Sequence, residues 1–578
     1  MNARRRLAVL LMTLLTPGAS AQYPSAPQIT KDGTTVLIED YASLPVSSLR
    51  LDGPYPAPVD YRGQLGKANM LLSEPRDAPR SASRLFVVGQ NGVLYLLDIK
   101  TRAFKTYIDF GKIFRRFNSD PNLGMGLVSM QFDPAYAKNG KFYVVHTENP
   151  AINAPEQPEG TSLPALNING YTITPVINVP AGETRYHGIV TEWTDTNISN
   201  DVFEGSVREV IRIGTNYARH PVGDLLFNPL ARPGHADYGN LYISVGDGEA
   251  GERAGVTHTI PQRLDALPGK ILRITPDITV RPQDRMSGNG RYRIPSQGAD
   301  ANPFVTIAAA RPEIYAYGLR NPHRISWDAV SNTLLVSDIG NHSWEEVNIV
   351  SKGANFGWAA REGPELTFIG GPNGGRTAGQ IDPPAPFPAP DTLLVDGLDK
   401  PVTPVYPVAA YSHRDGIAVG SGYVYRGKLM PQLTGKFVFT EIASGRVFYA
   451  DLADMLAMHN TPSNTQRRLA KIHEIQILYK EPAHTDAPQK RRMFDIVADA
   501  YVKKGGIRSG NCVLPDGSSN AKGLITCGNR GQGRDPDGVP WGGGRADVRL
   551  AMDGAGELYL MSKSDGMVRK MIAAGSEP

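Results

Sequence analysis

The residues best suited to acid–base chemistry in this chain are a histidine and an aspartate at the two ends of a predicted β-hairpin. His220 lies just before one strand-like run, and Asp247 directly follows the next, Leu241-Tyr-Ile-Ser-Val-Gly. An imidazole whose orientation is fixed by a carboxylate is what a general base requires. The strand register decides whether the two side chains meet, and the same pattern also fits an ordinary surface histidine.

A second polar group occupies a predicted turn between strands. Arg320 and Asn321 follow the run Tyr315-Ala-Tyr-Gly-Leu and precede another strand-like segment. A guanidinium and an amide at such a turn can bind a carboxylated ligand. Alternatively, the arginine holds the loop in place, and the sequence leaves both interpretations open.

Two motifs that suggest other chemistry are excluded by their context. Gly246-Asp-Gly-Glu-Ala-Gly251 matches the G-x-G-x-x-G pattern of dinucleotide sites. No amphipathic helix follows it and no βαβ alternation surrounds it, which argues against nucleotide binding. Glu345 and Glu346 are adjacent on a predicted strand and point to opposite faces, so they are not expected to form an acid/base dyad.

These residues must be positioned by a chain in which one type of strand recurs. Short apolar, aromatic-rich strands of similar shape, each following a turn residue or glycine, occur at 84–90, 141–146, 240–247, 333–338, 436–441 and 557–561. Widely spaced copies of one unit indicate a repeat architecture, and a β-propeller arranges such blades around a channel. We therefore predict an all-β fold, a six-bladed β-propeller with long loop insertions.

The chain termini and charge restrict its location and partners. Three arginines at 4–6, an apolar run at 7–15 and the small residues Ala19-Ser-Ala21 predict a signal peptide over 1–21, and hence a periplasmic or secreted protein. No other stretch reaches the roughly 18 apolar residues of a membrane span. A net charge of only +4, without a long basic run, argues against a nucleic-acid partner.

The remaining residues, 22–578, are predicted to form a single propeller domain. Polar, Pro- or Gly-rich insertions interrupt it near 149–183, 370–401 and 503–544. The last insertion contains the chain's two cysteines, Cys512 and Cys527. Export favours a disulfide between them, with free thiols or metal ligation as alternatives.

Several segments, taken in order, resemble the glucose/sorbosone dehydrogenase family, which comprises soluble quinoprotein sugar dehydrogenases with a six-bladed propeller fold. The resemblance covers about residues 80–570 outside the insertions. The matching segments are 126–134, 139–143, 223–227, 241–247, 268–274, 320–322, 345–348, 355–358 and 422–427.

The resemblance implies a reaction and a base. His220 would take the proton of a sugar C1 hydroxyl as hydride passes to the cofactor pyrroloquinoline quinone (PQQ). Asp247 would orient that imidazole. The substrate would be an aldose or related alcohol, and the electrons would pass to an external acceptor.

The resemblance also implies a cofactor site. Arg320 and Asn321 would contact PQQ, and Arg426 stands where the family commonly has a basic residue facing it. The backbone at Gly340 and Asn341 would help to hold a Ca²⁺ ion, a hard cation that accepts carbonyl oxygens.

Some positions depart from the sugar-oxidising members. Gly124 and Met125 replace a polar side chain, Arg219 stands before the base where some members have an acid, and Ile339 occupies a position that can be polar. Segments 337–358 and 404–416 are closer to a branch similar to hedgehog-interacting-protein-like ectodomains. The alternative function is therefore a cofactor-free extracellular propeller that binds a protein or glycan. A third possibility, hydrolysis at a Ca²⁺ site, lacks a recognisable ring of carboxylate ligands.

Overall fold

The computed structural model of the protein describes residues 29–45, 66–119, 124–367, 392–461, 468–482, 487–504 and 545–574. The predicted signal peptide, both cysteines and most of the second and third predicted insertions lie outside these residues.

Almost all regular structure is β, arranged in antiparallel sheets that follow one another along the chain. The first sheet contains Ala68–Ser73, Arg84–Gly89, Val93–Asp98 and Phe104–Asp109. The second contains Leu127–Phe132, Lys141–Glu148, Tyr186–Asp195 and Gly205–Thr215, with Leu166–Asn167 at its edge. The third contains Val222–Phe227, Leu241–Val245, Lys270–Ile274 and Ile314–Tyr317. The fourth contains Pro322–Asp328, Thr333–Asp338, Trp344–Ile349 and Ala409–Ser412.

The rest of the chain forms one nine-stranded sheet with two parts. The fifth group of strands is Val419–Val424, Lys436–Glu441, Val447–Asp451 and Ile472–Tyr479, with Gln489–Lys490 at its side. The sixth group is Val548–Met552, Leu558–Ser562, Met567–Ala573 and the N-terminal strand Thr30–Ser43. Small hairpins elsewhere pair Arg285–Met286 with Arg293–Ile294, and Arg361–Glu362 with Glu365–Leu366.

Helices are short and lie in the connections between strands. The α-helices are Phe110–Ile113, Tyr136–Asn139, Leu452–Asn460 and Met493–Lys503, and the 3₁₀ turns are Ala250–Glu252, Ile260–Gln262, Gly298–Asp300 and Pro431–Leu433. The helix at Leu452–Asn460 lies where Asp451-Leu-Ala-Asp-Met-Leu-Ala-Met458 suggests one. None of the helices in the described segments is both long and apolar enough to span a membrane.

The first strand of each group, here called an inner strand, packs against the inner strands of its neighbours and closes a ring. Ser129 Oγ donates to the Gly223 carbonyl at 2.8 Å, and Ser421 Oγ donates to the Leu550 carbonyl at 2.6 Å. These contacts join residues near the starts of neighbouring inner strands. The inner strands therefore begin at the same end of the ring, which we call the mouth. The predicted all-β propeller fold is confirmed.

Both faces of most strands are covered by neighbouring sheets, which explains their continuous apolar runs. Between the first two sheets, Trp193 is fully buried against Phe110 and Phe203, with ring centroids 5.0 and 5.3 Å away. The insertion at 149–183 packs onto the second sheet, because the Glu209 carboxylate accepts the Thr174 backbone N–H at 2.8 Å. This insertion is therefore part of the packed structure.

The N-terminal strand Thr30–Ser43 links the two parts of the nine-stranded sheet. It pairs antiparallel with Met567–Ala573 and parallel with Ile472–Tyr479. The buried Arg569 fixes this junction, since its Nε lies 2.9 Å from Asp40 and its Nη2 lies 2.7 Å from Asp565. One guanidinium thus neutralises two carboxylates from different segments.

We predict that Arg569→Leu lowers the free energy of unfolding by about 3 kcal/mol, because it leaves the buried Asp565 carboxylate without its partner. The midpoint of urea unfolding, followed by tryptophan fluorescence, measures this change. Lys570→Ala is the control, because this neighbouring ammonium lies 5.6 Å from the Tyr559 ring and forms a weaker contact. Equal midpoints for the two variants would contradict the assigned role of Arg569.

Candidate active site

The structure brings His220 and Asp247 together at the mouth. His220 precedes the inner strand Val222–Phe227, and Asp247 follows Leu241–Val245. The antiparallel register sets Val222 opposite Val245, so the two side chains meet. His220 Nδ1 lies 2.8 Å from Asp247 Oδ1, and His220 adopts a left-handed backbone conformation with φ of 54°.

Asp247 is fully buried and is held by donors from three segments. Its Oδ1 also accepts the Glu249 backbone N–H at 2.8 Å. Its Oδ2 accepts the Gly251 N–H at 3.0 Å and the Trp358 indole N–H at 2.8 Å. Burial alone would raise the pKa of Asp247. The hydrogen bond and charge of His220 and the charge of Arg320 outweigh this effect, so the pKa of Asp247 lies below its usual value of 3.8.

An ionised Asp247 cannot donate a proton, so the hydrogen bond must come from His220 Nδ1–H. In the neutral imidazole the second nitrogen, Nε2, is then the proton acceptor. This arrangement is the chemistry of an oriented general base.

The glycine-rich segment Gly246–Glu252, here called the acidic loop, shapes this pair. A Cβ on Gly246 would lie 2.4 Å from the His220 carbonyl oxygen, and one on Gly251 would lie 2.3 Å from Trp358 Nε1. The glycines therefore allow close approach to the base and its support. The loop continues as a short 3₁₀ turn and leads to an antiparallel strand, in agreement with the exclusion of a dinucleotide site.

Glu252, at the end of the acidic loop, joins the histidine to the predicted arginine. Its Oε1 lies 3.7 Å from His220 Nε2 and forms an ion pair with Arg320 Nη2. Arg320 also donates from Nη1 to the Ile339 carbonyl at 2.8 Å and lies 5.8 Å from the Trp358 ring centroid. Sequence reasoning missed the roles of Glu252 and Trp358 at this site. The position of Glu252 in the glycine-rich loop was the available signal.

The segment carrying Arg320 and Asn321 is fixed by a buried carboxylate. The two oxygens of Asp338 accept the backbone N–H groups of Arg320 at 3.0 Å and Asn321 at 2.6 Å. The Arg320 Nε and Asn341 Nδ2 atoms are buried without a hydrogen-bond partner. These donors are available to a ligand at the mouth.

The loop containing Gly340 and Asn341 surrounds a carboxylate. Glu362 Oε1 accepts the backbone N–H groups of Asn341, His342 and Ser343 at 2.7–2.8 Å. In a trans peptide the carbonyl opposes the N–H, so the Gly340 and Asn341 carbonyl oxygens face away from Glu362. The described residues contain no cluster of three or more acidic, histidine or cysteine side chains that could hold a metal ion.

Arg426 lies at the opposite end of the ring, which corrects the expectation that it faces a cofactor at the mouth. It pairs with Asp328 at 2.7 Å, and Asp328 is the last residue of the inner strand that begins at Pro322. A strand of this length separates them from the mouth by roughly 20 Å. The predicted cofactor contact is not supported by this position.

A larger group of basic residues lies where the inner strands begin. This cationic cluster consists of Lys67, His323, Arg324, Arg545, Arg549 and Lys563. Arg549 Nη1 lies 2.9 Å from Asp547 Oδ1, and Arg549 Nε donates to His323 Nε2 at 3.0 Å. Lys563 Nζ lies 3.6 Å from Asp547 Oδ2.

Burial and mutual repulsion act on this cluster. Burial, with the charges of Arg324 and Arg545, lowers the pKa of Arg549 to about 10. Burial and the neighbouring Arg549 hold the pKa of Lys563 well below 10.5. Burial and the charges of Arg324 and Arg549 hold the pKa of His323 well below 6.5, so its ring is neutral. An anionic ligand would relieve this repulsion.

Comparison with known proteins bears on the family resemblance and on the fold. Residues 215–367 match the family described as Glucose / Sorbosone dehydrogenase. The HIPL1 protein of Arabidopsis thaliana is 26% identical over 408 residues, which is 67% of this chain and 52% of that protein. The Aldose sugar dehydrogenase YliI of Escherichia coli (strain K12) is 33% identical over 120 residues, covering 21% of this chain and 26% of that protein.

The fold is also that of a solved sugar dehydrogenase. The crystal structure of the soluble aldose sugar dehydrogenase from Escherichia coli in the apo-form superimposes with a TM-score of 0.50 and 15% identity, over 93% of this chain and all of that one. The family match over residues 215–367 confirms the resemblance to the glucose/sorbosone dehydrogenase family, and the solved structure confirms the fold. The chain spans about half the length of the HIPL protein it matches.

We predict that Asp247→Asn destabilises the protein in a pH-dependent way. A folded-state pKa below 3.8 means that ionised Asp247 stabilises the fold above that pH, and that this stabilisation disappears as the pH falls through the folded-state value. The variant should lose about 2 kcal/mol of unfolding free energy near neutrality, with a smaller deficit below pH 4. Urea unfolding across pH measures it, with Asp77→Asn as the control, because Asp77 is exposed. A deficit that is constant with pH would contradict the ionised pair.

Proposed function

We propose that this protein is an exported quinoprotein dehydrogenase that oxidises an aldose or related alcohol with PQQ and Ca²⁺, and passes the electrons to an external acceptor. The observation that carries the proposal is the His220–Asp247 pair, which opens at the same end of the propeller as the cationic cluster. The His220–Asp247 pair supplies a base for an alcohol, and the cationic cluster supplies positive charge for an anionic cofactor.

The base acts on the C1 hydroxyl of the sugar. His220 Nε2 accepts the hydroxyl proton while the C1–H bond breaks, so the pyranose becomes a lactone. Asp247 stabilises the imidazolium that forms, as the buried aspartate beside a catalytic histidine does in other enzymes. When bound, PQQ supplies the two-electron quinone that accepts the hydride.

The basic residues at the mouth fit this cofactor chemically. PQQ carries three carboxylates and an ortho-quinone, and arginine and lysine are the usual partners of such groups. Arg549, Lys563 and Arg324 would hold the carboxylates, with relief of the repulsion among these cations. Arg320 Nε and Asn341 Nδ2, which are buried without a hydrogen-bond partner, would donate to the remaining oxygens.

Ca²⁺ would be held by backbone oxygens. The Gly340 and Asn341 carbonyls, which face away from Glu362, are ligands of the type that this ion prefers. Their orientation supports the site, and a calcium titration of cofactor affinity tests it.

The second candidate is a cofactor-free propeller that binds a protein or glycan at the mouth. It is favoured by one observation: the match to the HIPL1 protein extends over 67% of the chain, against 21% for the sugar dehydrogenase. A binding protein would keep its fold and partner affinity without His220, whereas a dehydrogenase would lose turnover.

We predict that His220→Ala lowers dye-coupled aldose oxidation by about 10³-fold, because the general base is removed. PQQ affinity, measured by absorbance titration, should change little. His235→Ala is the control, because this histidine is exposed on a turn outside the mouth. Unchanged turnover in His220→Ala would contradict the assignment of the base.

A further inference from the structure

Beside the candidate base lies a pair of arginines that share one buried carboxylate. Arg219 directly precedes His220, and Glu249 lies two residues after Asp247. Glu249 Oε1 lies 3.0 Å from Arg219 Nη1, and Glu249 Oε2 lies 3.1 Å from Arg253 Nη2. Only 7% of the Glu249 side chain is exposed.

The two arginines are fixed at one end and open at the other. The guanidinium of Arg253 also stacks on the Tyr217 ring, 4.4 Å from its centroid. The side chains of Arg219 and Arg253 nevertheless remain 52% and 45% exposed. Because packing and Glu249 already restrict their rotamers, a ligand that binds them loses less conformational entropy.

The charges at this rim favour an anion. Asp247 and Glu252 point inward to His220 and Arg320. Farther out, Arg185 lies 5.7 Å from the Tyr217 ring and adds a third guanidinium next to Arg253. These three arginines pair with only two carboxylates, Glu249 and the exposed Glu183, so the five side chains together carry one net positive charge.

We infer that the substrate is an acidic sugar, an aldose whose carboxylate binds Arg219 and Arg253 while its C1 hydroxyl faces His220. Paired guanidinium groups bind carboxylates through charge-assisted, directional hydrogen bonds. In a hexopyranuronic acid the C1 hydroxyl and the carboxylate on C5 are attached to the two carbons that flank the ring oxygen, which suits a base and an anion site side by side. This inference rests on the proposed function.

The reaction is then the oxidation of a uronic acid at C1. The hydroxyl proton goes to His220, the C1 hydride goes to the quinone, and the C1–O single bond becomes the carbonyl of a lactone. Hydrolysis of the lactone adds water and gives a dicarboxylic sugar acid. The carboxylate at the rim takes no part in the bond changes and serves only for binding.

The experiment compares D-glucuronate with D-glucose, its neutral counterpart, as substrates of the PQQ-loaded protein in the dye-coupled assay. We expect kcat/KM to be about tenfold higher for glucuronate, as charge-assisted hydrogen bonds provide. Arg219→Ala and Arg253→Ala should bring the ratio of kcat/KM for glucuronate to kcat/KM for glucose, measured in the same variant, down to about one, and Arg253→Lys should retain part of the preference. Arg468→Ala, an exposed ion-paired arginine elsewhere, is the control.

Two further measurements separate the possible outcomes. Isothermal titration calorimetry of glucuronate reports binding independently of turnover, and raising the salt to ~150 mM should weaken it. D-glucose 6-phosphate tests whether a phosphate replaces the carboxylate.

A preference for glucose, a preference that survives both alanine variants, or stronger use of glucose 6-phosphate would each overturn the inference. Absence of turnover with arginine-dependent glucuronate binding would support the acidic-sugar site and refute the dehydrogenase. Absence of both turnover and binding would refute both.

Discussion

The organisation of the mouth depends on a single buried carboxylate, that of Asp247. Removing a carboxylate from water costs several kcal/mol unless donors replace the lost hydration. Here the donors are the His220 imidazole, the Trp358 indole and two amides of the acidic loop. Because they converge on one group, these donors tie together the segment before the third inner strand, the acidic loop and the segment between the last two strands of the fourth sheet.

Around this centre the charges are arranged in zones. Basic side chains such as Arg549 and Lys563 gather where the inner strands begin, and their repulsion favours an anionic ligand there. Glu252 lies between the base and Arg320. Arg219 and Arg253 form the outer rim, held by Glu249. The acidic loop supplies a carboxylate to the base, to Arg320 and to the outer rim, which explains why a glycine-rich segment resembling a nucleotide motif belongs to an acid–base site.

The recurring strands, and the choice of His220 and Asp247 as candidates, could be predicted from the sequence because both depend on local patterns. The register that joins these two residues is a tertiary property, since Val222 and Val245 pair only in the folded sheet. The cationic cluster escaped prediction because Lys67 and Lys563 lie about 500 positions apart and meet only when the ring closes. Arg426 was misplaced because its role was taken from the family resemblance, and the short matching segment 422–427 does not show at which end of the ring the side chain lies.

The most direct test is an anaerobic absorbance titration of the purified protein with PQQ in the presence of Ca²⁺, followed by addition of an aldose without any electron acceptor. Binding of one PQQ per chain, and conversion of its spectrum to the reduced form in wild type but not in His220→Ala, is the result that this account predicts. Absence of saturable PQQ binding, or reduction that proceeds equally well without His220, would contradict it.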